Sequence, residues 1–244
     1  MKRRLNAALK KLKQQKMPVI ETKDLCKFFT ETSEEVKAVN MVNIQIEQGE
    51  FTAIVGPSGS GKTTLLNLIG GLDEPTSGKV VIANTDIYTL KDKDLTKFRL
   101  DNIGFVFQAY NLIPVLTAYE NTEFTMLLQN RPEAERKQRV TDLLTKVGLG
   151  SKLKNKPAEL SGGQQQRVAV ARALAPKPKF VLADEPTANL DSKSTNDLLD
   201  IMATLNEEEG ITFVFSTHDQ RVIDRAKRII RIDDGKIVDD GLKK

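Results

Sequence analysis

The chain has 244 residues, of which 39% are hydrophobic and 29% charged, enough for one large domain or one domain with an inserted lobe. Its apolar runs all fall short of the roughly 18 residues a membrane-spanning helix needs, and its one cysteine, Cys26, rules out an intrachain disulfide. The net charge of +4 is unevenly spread: residues 1–16 carry +7 and no acid, which leaves −3 on the body and argues against a broad nucleic-acid-binding surface.

In chain order, the basic arm comes first. Lys2, Arg3, Arg4, Lys10, Lys11, Lys13 and Lys16 surround Leu5, Leu9 and Leu12, which fall on one narrow helical stripe. The arm lacks the apolar core of a secretory signal. It reads either as a solvated arm or as a basic amphipathic helix touching anionic lipid or a membrane partner. Val39, Met41, Ile44 and Ile46 predict a strand over Val36–Glu47, leading to a turn at Gln48-Gly49. Phe51–Val55 is a short apolar run of the kind a buried parallel strand shows. A glycine loop and a helix through Thr64–Ile69 follow, ended by Gly70-Gly71, with another loop from Pro75 to Gly78. Lys79–Ile82 and Ile103–Phe107 read as strands around a short helix near Asp92–Leu100. From Tyr119 to about Leu149 the pattern is helical, with Pro132–Arg139 on a solvated face and Pro157 as a break. A helix over about Gly162–Ala175 precedes strands at Phe180–Ala183, Ile211–Phe215 and Arg228–Ile232, with a helix near Ser192–Glu207. Strand–helix alternation with a helical insert predicts an α/β fold with a mostly parallel sheet and an inserted lobe near residues 109–170.

Five short segments or single positions carry chemistry. Gly56-Pro57-Ser58-Gly59-Ser60-Gly61-Lys62-Thr63 fits G-x-x-x-x-G-K-S/T, with a strand before it and a helix after it. Backbone N–H groups of such a loop close round phosphates, and the helix start adds its positive dipole end. Lys62 is expected on the β- and γ-phosphates and the Thr63 hydroxyl on Mg²⁺. Phe180–Ala183 ends in Asp184 and Glu185, at the strand end where ligands sit in α/β sheets. Asp184 is expected to hold Mg²⁺ through water, and Glu185 to polarise the attacking water. Ser161-Gly162-Gly163-Gln164 opens the helix bearing Arg167 and Arg172, with Ser161 as N-cap. It is a second anion-binding helix start in a chain whose first already serves its own nucleotide, and so points to the nucleotide of another chain. His218, the only histidine, and Gln108 each follow a strand; His218 is expected to face the γ-phosphate, and Gln108 the metal or the water.

Taken together and in their order along the chain, these segments resemble the nucleotide-binding domains of ABC transporters over about residues 18–240. Walker A lies at Gly56–Thr63, the Q-loop at Gln108, the signature at Leu160–Gln164, Walker B with its glutamate at Phe180–Glu185, the D-loop at Ala188–Asp191 and the switch histidine at His218. The resemblance implies a P-loop core, an antiparallel β subdomain and an inserted helical subdomain, with residues 1–17 outside the domain that spans 18–244. It implies a head-to-tail dimer holding two ATP. Each ATP meets Gly56 to Thr63 and Thr64 of one copy, and Ser161, Gly162, Gly163 and Gln164 of the other. It also implies an aromatic on adenine, matched by Phe29 or alternatively Phe28. Leu65–Asp73, Gly104–Gln108, Asn111–Pro114 and Thr117–Asn121 resemble the lipoprotein-release, macrolide-exporter and cell-division ATPases. The resemblance therefore implies an integral membrane permease as partner, reached through the surface around Gln108–Pro114, and a place on the cytoplasmic face of the membrane. An ATP-driven signalling switch acting through a membrane partner remains the alternative. A soluble family member acting on DNA or ribosomes lacks support, because the chain has one nucleotide domain and no long heptad insertion.

Overall fold

Two sheets divide the strands. In the computed structural model, which describes residues 18–30 and 35–242, six strands run in the order β11-β10-β4-β9-β8-β7. These are β4 (Phe51–Val55), β7 (Ile103–Val106), β8 (Phe180–Asp184), β9 (Thr212–Ser216), β10 (Arg228–Asp233) and β11 (Lys236–Leu242). All neighbours are parallel except β10 and β11. The central strands β4 and β9 are buried at every position, which is why they read as unbroken apolar runs. The second sheet is antiparallel throughout. It orders β2 (Val36–Val42), β1 (Pro18–Phe29), β5 (Ser77–Ile82) and β6 (Thr85–Asp86), with β3 (Gln45–Glu47) also on β1.

The helices are α1 (Lys62–Ile69), α2 (Asp92–Asn102), α3 (Ala118–Leu128), α4 (Glu133–Lys146), α5 (Gly162–Leu174), α6 (Ser192–Glu209) and α7 (Gln220–Arg225). The lobe helices α3, α4 and α5 share one apolar cluster with the sheet: Met126, Val140, Leu143 and Val170 belong with Phe51, Val181, Phe213 and Phe215. Each such side chain contributes about 1.5–3 kcal/mol by burial, so packing on the sheet adds to what the lobe helices gain from one another. The opposite face packs α1 and the antiparallel sheet through Leu65, Leu68, Ile69, Ile20, Ile46 and Ile82.

Several boundaries differ from the sequence expectation. The predicted strand over Val36–Glu47 breaks into β2 and β3. The buried Thr22 hydroxyl donates to Val42 O and accepts from the Ile44 N–H, taking bonds that a continuous ladder would use. Met41, one of the residues whose alternation predicts that strand, has φ 55 and is 57% exposed. The helical stretch from Tyr119 divides into α3 and α4 at Asn130 (φ 55), because Pro132 disfavours a helical residue before it. β1, β11 and α7 had no sequence signal. β1 carries register shifts and a left-handed Asp24, so its apolar residues lose strict alternation. The basic arm at residues 1–16 lies outside the described residues.

Candidate functional site

The parallel strands end at one edge of the sheet, and the glycine loop, Gln108, Asp184, Glu185 and His218 end or follow them there. Between β4 and α1 the glycine loop uses Gly59 (φ 80) for its backbone conformation alone. Gly61 has φ 101 and also needs room, since a Cβ there would sit 1.9 Å from Ala38 O. No side chain caps α1, so its first N–H groups stay available to an anion. The Lys62 ammonium lies back across the loop and donates to Gly56 O and Pro57 O, at 2.9 Å each. Ser60 is buried; Pro57, Ser58 and Thr63 are exposed, with Thr64 half-buried behind them.

At the end of β8, Asp184 accepts a 3.0 Å hydrogen bond from the Thr63 hydroxyl, across 121 residues of chain. The pair fits Mg²⁺, a hard ion that takes one or two protein oxygens and keeps waters and phosphate oxygens for the rest. Among the described residues no group of three or more His, Cys, Asp or Glu could form an all-protein cage. Glu185 turns into the left-handed region (φ 46), anchored by its N–H on Ser216 O at 2.9 Å. Its Oε1 lies 2.8 Å from His218 Nδ1, and its Oε2 accepts from the Thr217 hydroxyl at 3.2 Å. β8 and β9 are adjacent in register, Asp184 opposite Ser216, which brings the two segments together as expected. The Glu185 side chain is 16% exposed and that of His218 73%. Next to them Asp219 is held by the Arg221 guanidinium and the Thr187 hydroxyl, which lower its pKa to about 2 against the cost of burial.

Gln108 follows β7 and is exposed; its carbonyl accepts from Asn189 Nδ2 at 3.0 Å. Ser161 and Gln164 form a reciprocal capping box at the start of α5. Gly162 lies under Tyr110, where a Cβ would meet the phenol oxygen at 2.6 Å, and Gly163 lies against Ser194 at 2.8 Å. Two residues without a role in the sequence reading tie these loops. Gln166, fully buried, donates its amide to Phe107 O (3.2 Å) and Pro186 O (2.8 Å). Arg172 donates to Tyr110 O and Asn111 O. A polar residue in phase with the buried face at Gly163 and Val170 was the available signal for Gln166. Phe29, 39% exposed at the end of β1, has Lys27 Nζ 5.1 Å from its ring centre; Phe28 is half-buried, with Lys37 Nζ 5.5 Å from its own.

A family model described as ABC transporter matches residues 39–188. The chain belongs to the ABC transporter family. This ABC transporter chain is 48% identical over 223 residues to the macrolide export ATP-binding/permease protein MacB of Hyphomonas neptunium, covering 91% of this chain and 34% of that protein. It therefore spans about a third of that relative's length. It is also 48% identical over 207 residues to the lipoprotein-releasing system ATP-binding protein LolD 1 of Rhodopseudomonas palustris, covering 84% and 92% of the two chains. A dimeric ATP-binding cassette of a Methanocaldococcus jannaschii ABC transporter, solved in a post-hydrolysis state with ADP and Pi, superposes with a TM-score of 0.84 at 45% identity, over 92% of this chain and 99% of that one. The present chain is an ATPase of this cassette type. No helix among its described residues is long and apolar enough to cross a membrane.

Proposed function

We propose that two copies of this chain close head to tail on two ATP molecules, and that hydrolysis reopens them to drive a membrane permease in lipoprotein release or in macrolide or peptide export. The observation that carries this reading is a division of parts. The loop, Thr63–Asp184 and Glu185–His218 meet at one edge of the sheet, while a second capped glycine-rich helix start, Ser161–Gln164, belongs to a different element. One nucleotide per copy uses the first set; a neighbour's nucleotide gives the second set its purpose.

In that reading Lys62 exchanges Gly56 O and Pro57 O for the β- and γ-phosphates, and Phe29 stacks on adenine. Thr63 and Asp184 would hold Mg²⁺, which when bound would neutralise charge on the phosphates. Gln108 stands at the same edge for the ion or the water. Glu185 takes the proton of the attacking water while His218 contacts the γ-phosphate. ADP offers no γ-phosphate to the second copy, so the closed pair loses its differential affinity and opens. A groove of about 340 Å³, lined in part by Arg99, Phe105, Phe107, Asn111, Thr125 and Arg172, adjoins Gln108 and supports the permease contact there. Such a partner would hold the chain on the cytoplasmic face of the membrane, where the basic residues 1–16 would meet the lipid surface.

Glu185→Gln tests the reading. The variant should bind ATP, turn it over about 10²–10⁴-fold more slowly than the parent, and run as a dimer in size-exclusion chromatography. Hydrolysis at the parental rate, or a strictly single chain with ATP bound, would sink it.

A further inference from the structure

Resting on that role for Glu185, we propose that Thr217 is a positioning residue that fixes the carboxylate through Oε2, while His218 is its releasable partner on Oε1. The two contacts differ in kind. Thr217 is fully buried, its own N–H donates to Ile54 O at the end of β4, and its hydroxyl donates to Glu185 Oε2 while accepting the Asp219 N–H at 3.0 Å. The loop on either side is pinned as well. Ser216 O receives the Glu185 N–H, and Asp219 is held by Thr187 and Arg221. His218, between these anchors, projects outward with 73% of its side chain exposed, and its contact with Oε1 is the one that can leave.

A general base needs one oxygen directed at the water and the other held still. If both partners stayed, one acceptor site on each oxygen would remain filled and the imidazole would stay on Oε1; if both left, a three-bond side chain would sample several rotamers and lose the aligned geometry. The buried hydroxyl and the exposed imidazole solve this by sharing the carboxylate unequally. When His218 moves to the γ-phosphate, Oε1 is released to the water and Oε2 remains on Thr217.

Thr217→Val removes the hydroxyl and keeps the shape, and Thr217→Ser restores it. For Thr217→Val, kcat should fall roughly ten- to hundredfold, the loss of one hydrogen bond to a charged group, while KM and the affinity for a fluorescent ATP analogue stay unchanged. Thr217→Ser should recover most of that rate. In a Glu185→Gln background, Thr217→Val should have no further effect on the residual rate, because the group it positions is gone. Parental kcat in Thr217→Val, or an equal loss in the Glu185→Gln background, would overturn the positioning role. If Glu185→Gln itself turns over like the parent, the failure belongs to the assignment of Glu185 and not to Thr217. A thermal melt of each variant separates lost folding from lost rate, since the Asp219 N–H also gives up its acceptor.

Discussion

Glu185 occupies a backbone region that a residue with a Cβ enters at a cost of about 1 kcal/mol or more. The bond from its N–H to Ser216 O offsets that cost and aims the carboxylate at Thr217 and His218. Asp219 stands behind this arrangement. Arg221, Thr187 and the Arg221 N–H all favour its charged form, and its pKa falls from 3.8 to about 2. A carboxyl that titrates lower in the fold than in the unfolded chain stabilises fully above the unfolded pKa and loses its effect as pH drops through the folded value. Urea unfolding should therefore show the parent losing on the order of 1–2 kcal/mol more than Asp219→Asn between about pH 5 and pH 2. Parallel pH curves for the two proteins would contradict this.

The elements of the site are held by a few side chains acting between secondary structures. Asn121 on α3 is fully buried. It accepts the Ile113 N–H and donates to Ile113 O, Leu116 O and Thr117 O, which sets the path of the chain after Gln108. Arg228 on β10 joins the two sheets. It forks onto Asp240 at 2.7 Å on both nitrogens and reaches Gln45 O and Glu50. Replacing one member of such a shielded network leaves the other charges unpaired. Arg228→Leu should lower stability by about 2–4 kcal/mol, seen as a lower urea midpoint with an unchanged slope. A midpoint like the parent's would show that water repairs the network.

At the scale of the molecule, the lobe and the parallel sheet share one apolar cluster, while Gln166 and Arg172 connect α5 to the loops that follow β7 and β8. Packed side chains and hydrogen bonds thus connect the groove beside Gln108 with α5, a route a force applied there would have. In the proposed reading, a permease seated there would be the source of that force. A tagged chain purified from membranes should bring down an integral membrane protein. Thr125→Glu, which places a charge in the groove, should lose that partner while the isolated chain keeps its ATPase rate. Recovery of the permease with the variant would move the docking surface elsewhere.

The linear chain alone determined whatever depends on neighbours within a few positions. The glycine loop at Gly56–Thr63, the N-cap at Ser161 and the buried runs at Phe51–Val55 and Phe180–Ala183 follow from local backbone preferences and from burial on both faces, and all are in place. The two sheets and their mixed pairing were legible through the family resemblance. The bulged β1 was not, because its apolar residues abandon a period of two. Only the tertiary structure decided which distant groups hydrogen-bond to one another. Thr63 meets Asp184 because β4 and β8 both flank β9, and Thr217 meets Glu185 because β8 and β9 lie in register. Contacts of that kind depend on strand order and on the turn taken after each strand, neither of which is encoded in any single short stretch of residues.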